Sequence, residues 1–463
     1  MEAKAMMTQS SHKQIKFHLV TIEDMVPEDH LLRKLNRLID FSFIYREVED
    51  CYCHNNGRPS IDPVILIKYL LIGFLFGIES ERRIEQEIQV NMAYRWFLGL
   101  DLDERVPDHS TISQNRRKRF SGRDLFRKLF DQVVHSCMSQ GLVEGKLILT
   151  DSTHVKANAS RKSEQVIEVE YKPAEYLSVL DVYEQEERKR LEQAGRIPPQ
   201  KSHRSQKEKP KTIPKRISRT DPDAGFYKRK GKPEGMHYLS HQSLDGAHGI
   251  IVDVHVTPGN VTDATPYVSR LMHIREQLGL AISEAGADSG YDIGLVHQKL
   301  VEEGIRLYTP INHEEPKYQS AFMRKDFSYQ AGCDCFLCPA GKCLNLKRLQ
   351  RSEYGVYWEY QAKKEDCQSC PYRRQCLTKS AAKRRVQVNL FEPAVKQNHS
   401  KDGSERHREV LRLRQIWCEG SFAVQKARHN LKHLLRRGLE AAKEHCLLSA
   451  TALNLKRMVK CLK

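Results

Sequence analysis

The chain has no apolar run long enough for a bilayer: its longest, Tyr69 to Ile78, falls well short of the roughly 20 residues that a spanning helix needs. Its first residues, Met1-Glu-Ala-Lys-Ala-Met-Met-Thr-Gln-Ser10, lack the apolar stretch of a secretion signal. A globular, soluble, cytoplasmic protein with no membrane partner is therefore expected. The pattern Gly-x-x-x-x-Gly-Lys-Ser/Thr is also missing, which leaves ATP-driven work without support. Negative charge is in the minority, with 59 Asp and Glu against 76 Lys and Arg and a formal net charge of +17. A surface of that sign takes polyanions as partners. With 463 residues, 40% of them hydrophobic, the chain can build cores for roughly two to four domains.

Thirteen cysteines is an odd number, and seven of them crowd between Cys333 and Cys376. Such crowding favours a metal over a disulfide framework. The cluster reads Cys-x-Cys-x2-Cys-x4-Cys from Cys333 to Cys343, then Cys-x2-Cys-x5-Cys from Cys367 to Cys376. Four thiolates close a tetrahedral zinc site, and the preferred set is Cys338, Cys367, Cys370 and Cys376. Cys343 is the alternative for one of them, while Cys333 and Cys335 are left over. An iron–sulfur cluster on the same thiolates is the less favoured choice, and reduced, unliganded thiols are the third.

Hydrophobic periodicity divides the chain. From about Pro27 to Phe130 the spacing is helical; Pro63 suits the first turn of a helix running to Ile78, and a second helix should follow from Ser80. Asp108 or Ser110 can cap a basic helix through Gln114-Asn-Arg-Arg-Lys-Arg-Phe120. Such a helix fits a helix-turn-helix-like reader of DNA, with Gln114, Asn115 and Arg116 able to reach base edges and Arg117 beside them; a solvated charged helix is the plainer reading. From Leu147 short β-branched runs appear, at Leu147–Thr153, His237–Leu244, Ile250–Thr257, Ile282–Asp288 and Ile305–Pro310. Helical patterns over 263–278 and 294–303 separate the later ones, so an α/β sheet with three antiparallel leading strands is expected. Between Ala159 and Lys232 no strand pattern is visible. Glu175 to Gln193 reads as a charged helix, and Pro198 to Lys232, with twelve Lys or Arg against three acids, as a mobile linker or a phosphate-tracking arm. Beyond Phe391 the pattern is helical again, with Leu413, Trp417, Val424 and Leu431 near one face and Arg412, Glu419 and Lys426 seven apart on another.

Three acids stand in settings suited to chemistry. Asp151 follows the apolar run Leu147-Ile-Leu-Thr, Asp288 follows Gly286-Ala and precedes Ser-Gly, and Glu419 lies on a helix. Ligands in open α/β sheets gather at strand ends, so both aspartates read as strand-end groups. Three carboxylates can hold two Mg²⁺ ions, which serve both the attacking and the leaving oxygen of a phosphodiester. Lys426 and Arg428 can hold a phosphate beside Glu419. His154 is read as a satisfied neighbour, because Mg²⁺ prefers oxygen.

At this point the chain resembles the DDE transposases of bacterial insertion sequences, in the group with a helical N-terminal domain and a cysteine-bearing insertion before the last glutamate. The matching segments are Pro107-Asp-His-Ser-Thr-Ile-Ser113, Asp151-Ser-Thr-His-Val-Lys-Ala-Asn158, Ala287-Asp-Ser-Gly-Tyr291, Cys338-Pro-Ala-Gly341, Cys367-Gln-Ser-Cys-Pro371, Glu419-Gly-Ser-Phe422 and Asn454-Leu-Lys-Arg457. The resemblance implies an RNase-H-like mixed-sheet catalytic domain with Asp151, Asp288 and Glu419 as its Mg²⁺-binding triad, Mn²⁺ being able to substitute. It also implies double-stranded DNA partners, namely terminal inverted repeats and target DNA. The expected chemistry is cleavage at 3′ ends followed by direct transesterification, by a homodimer on paired ends, in a nucleoid-associated setting. One departure concerns the family's Tyr-x-x-Arg-x3-Glu-x6-Lys signature: Lys426 fits, but Gln415 stands at the Arg position and Arg412 at the Tyr position. Arg412 or Arg414 is left to supply that contact.

The expected organisation is a DNA-binding helical domain over 1–135, a catalytic core over 136–330 with a charged insertion at 160–232, a cysteine-rich insertion over 331–384, and closing helices over 385–463. Two other readings stay open: an RNase-H-like nuclease that cuts without joining, and a non-catalytic DNA-binding regulator built on the basic helix and a zinc module.

Overall fold

The computed structural model describes residues 19–53, 60–170, 175–199, 212–229, 234–311, 322–352 and 355–462. Two compact units divide the chain, Met1–Ser121 and Gly122–Lys463.

Among its described residues the first unit is helical, and its longer elements are Leu31–Leu38 (α1), Pro63–Phe76 (α2), Glu81–Val90 (α3), Met92–Leu98 (α4) and His109–Lys118 (α5). Pro63 fills the first turn of α2, where a missing N–H costs nothing, and Asp62 accepts the Val64 N–H at 2.7 Å. The helix stops at Gly77, whose φ of 70° favours glycine. Leu66, Ile67 and every residue from Tyr69 to Leu75 are buried, so α2 is the unit's central post. Gly73 lets α3 approach, since a Cβ there would lie 2.5 Å from Ile84 Cδ1. No single helix among the described residues is long and apolar enough to cross a membrane.

Asp108 caps α5 by accepting the Ser110 N–H at 2.7 Å. The helix is tied to α3 twice: His109 Nδ1 lies 2.8 Å from Glu85 Oε2, and Arg116 pairs with Glu81. Asn115 donates to the Thr111 carbonyl at 2.9 Å and accepts from Arg119 at 3.1 Å. Asn115 and Arg116 are thus buried in packing, which corrects the expectation that they reach base edges. Gln114 and Arg117 remain exposed.

The second unit opens with Leu125–Ser139 (α6), a helix that the sequence pattern assigns to the preceding domain. Leu147–Lys156 (β1) follows, then Glu164–Glu170 (β2), Glu175–Gln193 (α7), Thr212–Ser218 (β3), Gly225–Tyr227 (β4), Gly235–Asp245 (β5), Ile251–Pro258 (β6), Tyr267–Leu278 (α8), Glu284–Gly286 (β7), Gly294–Glu302 (α9) and Arg306–Tyr308 (β8). The main sheet is mixed, with β1 at its centre: β5 runs antiparallel on one side, β7 and then β8 parallel on the other, and β4 and β6 share the far side of β5. The three leading strands are antiparallel as expected.

The stretch expected to lack strands holds β4 and a two-stranded ribbon of β2 and β3, a correction with a physical cause. The ribbon's one apolar face, Ile167, Val169, Ile213 and Ile217, is interrupted by Gln165 and Lys215 and only half-buried, so its alternation signal is weak. Much of the expected phosphate-tracking arm, at 200–211 and 230–233, lies outside the described residues. The charged helix α7 does carry an apolar stripe: Leu180 and Leu191, with Ile197 just beyond, pack on Leu349, Val356 and Phe391.

Those partners belong mainly to a second sheet, formed by Ser328–Gln330 (β9), Cys335–Leu337 (β10), Cys343–Ser352 (β11), Gly355–Ala362 (β12) and Arg385–Asn389 (β13), all antiparallel in the order β13-β12-β11-β10-β9. The chain then closes with Glu392–His399 (α10), Glu405–Arg414 (α11), a π-helical turn at Gln415–Glu419, Gly420–Arg428 (α12) and Leu439–Cys461 (α13). Asn454 of α13 grips β6 by accepting the Ile251 N–H at 2.9 Å and donating to the Ile251 carbonyl at 2.8 Å.

Candidate active site

Register brings the two aspartates to one place. β1 and β7 are parallel with Leu149 opposite Gly286, so Asp151 and Asp288 each stand two residues past that pair. β7 stops there, whereas β1 continues to Lys156 along β5, with Asp151 opposite Gln242. Asp151 is therefore mid-strand, at the point where one neighbour departs, and not at a strand end as expected. Asp288 turns away, its Oδ1 accepting the Gly290 N–H at 2.8 Å.

The third acid comes from the helical side. Arg414 gives Nη1 to Asp151 Oδ2 and Nη2 to Glu419 Oε1, both at 3.0 Å. Arg414 and Glu419 are five residues apart, and they share a face because the turn between them is π-helical, with the Gly420 N–H donating to Gln415 O. The added residue also rephases α12: Ser421, Phe422 and Gln425 are buried and Val424 is exposed. This corrects the seven-residue seam. Arg414, and not the exposed Arg412, meets the acids. The π turn is locked from behind, where Trp417 Nε1 donates to Gly246 O at 3.1 Å and Arg457 stacks over the Trp417 ring at 5.3 Å while donating to Ser421 Oγ at 2.7 Å.

A fourth carboxylate, which the sequence reading missed, is Asp263. Its Oδ1 accepts the Ser152 hydroxyl at 2.5 Å. Asp263 stands in the turn between β6 and α8, five residues past the strand, so the strand-end criterion applied to Asp151 and Asp288 does not single it out. Burial raises the Asp263 carboxyl above its ordinary range, the Ser152 hydroxyl opposes the rise, and the charge of Asp288 adds to it. Asp151 is pushed up to about 6, first by burial and further by Asp288 and Asp263, against the pull of the Ser152 N–H and Arg414.

Lys426 Nζ donates to Thr153 Oγ1 at 2.6 Å, two residues along β1 from Asp151. Arg428 is exposed, and its charge helps to lower the pKa of the half-buried Lys456 after burial has done so. The basic segment after α12 runs along β1: Leu434 N donates to Lys156 O at 2.9 Å. His154 is satisfied as expected, with Nε2 at 3.2 Å from Gly259 O and its ring 3.7 Å from that of Tyr227.

Behind Asp288, the ligating atoms of Asp292, His297 and His399 approach within 4.8 Å of one another. Hydrogen-bond polarity argues against a metal there. Leu307 N–H holds Asn398 Oδ1 at 3.2 Å, so the Asn398 amide donates to His297 Nδ1 at 3.0 Å, and His297 Nε2–H donates to Asp292 at 2.7 Å. His399 bridges Asp292 at 3.1 Å and Asp402 at 2.5 Å. The cluster is a latch joining the segment after Asp288 to α9 and α10.

In the cysteine region two groups separate. Cys338, Cys367 and Cys376 pack against Phe327, Phe336, Leu344 and Tyr360. The Cys376 thiol is pushed up by burial, eased by Arg384, and raised further by Cys367, Cys370 and Cys338. Backbone N–H groups of Lys342 and Arg384 point at Cys338 Sγ at 3.3 Å and Cys367 Sγ at 3.5 Å. Cys343 keeps other company: Cys335 is raised by its hydrogen bond with Cys333 and, after burial, by that with Cys343.

An α/β sheet with four carboxylates around an interrupted parallel pair, on so basic a chain, defines an enzyme of phosphodiester chemistry. Two family models make the class specific. One described as a transposase domain (DUF772) matches residues 20–118, and one described as a transposase DDE domain matches residues 337–459. The chain is a DDE transposase. No curated protein matches it. A solved piggyBac transposase synaptic complex with hairpin DNA aligns at 9% identity and TM-score 0.38, over 93% of this chain and 75% of that one. The Mos1 mariner paired end complex with Mn aligns at 10% identity and TM-score 0.16, over 56% of this chain and 62% of that one.

Proposed function

We propose that this transposase binds the terminal inverted repeats of its own insertion sequence, cleaves there to free 3′ ends, and joins them to target DNA by direct transesterification. The mixed sheet is read as RNase-H-like, with Asp151, Asp288 and Glu419 as its metal-binding acids. The observation that carries this reading is the Leu149–Gly286 register, which sets Asp151 and Asp288 at matching positions beside the Arg414–Glu419 pair. The donor set suits divalent cations. It is all carboxylate oxygen, burial and then the charges of Asp288 and Asp263 push Asp151 up to about 6, and a guanidinium lies between Asp151 and Glu419 where a cation belongs. Magnesium, or manganese in its place, would supply an activated oxygen nucleophile and charge neutralisation at the phosphate.

The chain's own residues bind and orient. Lys426 and Arg428 hold the phosphate backbone near β1, Gln114 and Arg117 contact DNA from the first unit, and Arg414, which bridges Asp151 and Glu419, would yield that place to the ions. Water attacks the phosphodiester and the 3′ oxygen leaves; in the second step that 3′-hydroxyl attacks a target phosphodiester and displaces its 3′ oxygen. Double-stranded DNA is the partner in both, and paired ends call for a homodimer. Cys338, Cys367, Cys370 and Cys376 are proposed as a structural zinc site, a better match to four thiolates outside the acidic centre than an iron–sulfur cluster.

The test is a strand-transfer reaction with pre-cut element ends, a supercoiled plasmid and Mg²⁺. Joined products are expected. Nicked DNA without joints would mark a nuclease, and site protection without nicking a DNA-binding regulator; either would overturn the reading.

A further inference from the structure

Asp263 belongs to no ion pair among the described residues, and neither does Asp288, although both flank the site. Arg229 is the cation whose charge acts on Asp263 through space. Ser152 links Asp263 to Asp151: its hydroxyl goes to Asp263 Oδ1 at 2.5 Å and its N–H to Asp151 Oδ1 at 2.8 Å. Gly290 links Asp263 to Asp288, because a Cβ there would sit 3.0 Å from Asp288 Oδ1 and 3.8 Å from Asp263 Oδ2. The glycine therefore leaves open the space into which both oxygens look. Without Arg414's help these two carboxylates lack the compensation that Asp151 and Glu419 enjoy, and a hard cation with oxygen ligands is the group that would supply it.

We propose that Asp263 is a fourth carboxylate of the active site that binds a divalent cation together with Asp288, with the Ser152 hydroxyl orienting it. The inference rests on the reading of Asp151, Asp288 and Glu419 as metal-binding acids. It is tested by titrating the DNA-free protein with Mn²⁺ and following the free-ion signal by electron paramagnetic resonance. Asp263→Asn, of nearly the same shape, should melt cooperatively and bind Mn²⁺ at least about tenfold more weakly than wild type. Asp263→Glu should recover part of that loss, and the Mg²⁺ concentration for half-maximal cleavage should rise in Asp263→Asn by a similar factor.

Wild-type Mn²⁺ affinity in Asp263→Asn, with loss of binding in Asp288→Asn, would overturn the inference and leave the triad standing. Wild-type affinity in Asp151→Asn and Asp288→Asn as well would overturn both.

Discussion

Arg414 Nη1 stands 3.0 Å from Asp151 Oδ2, a guanidinium seated on the carboxylate at the centre of the sheet. Its other nitrogen takes Glu419, so one cation compensates two acids that would otherwise repel. Replacing Arg414 with Ala should lower the melting temperature in metal chelator and enlarge the rise that 10 mM-scale Mg²⁺ produces, since ligand binding stabilises by mass action. Thermal melts with and without Mg²⁺ check this. An equal Mg²⁺ response in both proteins would show that arginine and ion do not share a place.

Neighbouring arginines of α5 should separate by role. Arg116 is buried against Glu81, and Arg116→Ala should cost about 2–3 kcal/mol of stability by leaving that acid unpaired. Arg117 is exposed, so Arg117→Ala should leave the melt unchanged while weakening DNA binding and reducing its salt dependence by about one phosphate contact. Chemical denaturation and binding at several salt concentrations separate the two; the reverse pattern would contradict the packing of α5.

The Asp292–His399 latch fixes a pH window. Its hydrogen bond to Asp292 raises His399 to about 9 from 6.5, while bonds from His297 and His399 outweigh burial and hold Asp292 below 3.8. The histidine's contribution is complete below its unfolded value and disappears as pH rises through the folded one; the aspartate's is present above its unfolded value and is lost in stronger acid. Both hold at about pH 6. The difference in melting temperature between wild type and His399→Gln should thus be largest there and shrink towards pH 10, and a difference constant across that range would contradict the latch.

The cysteines predict a metal count. Elemental analysis should find one zinc per chain, lost in Cys367→Ser or Cys376→Ser and kept in Cys343→Ser, because Cys343 keeps company with Cys335. Zinc loss on changing Cys343 would move it into the ligand set.

Much of this site was legible in residue order. Apolar runs flanking Asp151 and Asp288 announced β1 and β7, and Pro63 and Asp108 marked helix starts that exist. What escaped has identifiable causes. A π turn adds one residue that no 3.6-residue periodicity reports, so Arg412 was set on the seam of Glu419 and Lys426 and the choice between Arg412 and Arg414 stayed open. The β2–β3 ribbon only half-buries one face, which Gln165 and Lys215 interrupt, so its alternation is faint. Asn115 and Arg116 have the chemistry of base readers, but only tertiary contacts reveal that α5 turns them inward. Asp263 sits in a turn, where aspartate is common for local reasons.

The central claim is that Asp288 works with Asp151 and Glu419 in cutting DNA. The most direct measurement is cleavage of an element-end duplex in Mg²⁺ by Asp288→Ala, alongside binding of the same duplex. The account predicts wild-type binding with cleavage reduced below detection. Cleavage at the wild-type rate would contradict it.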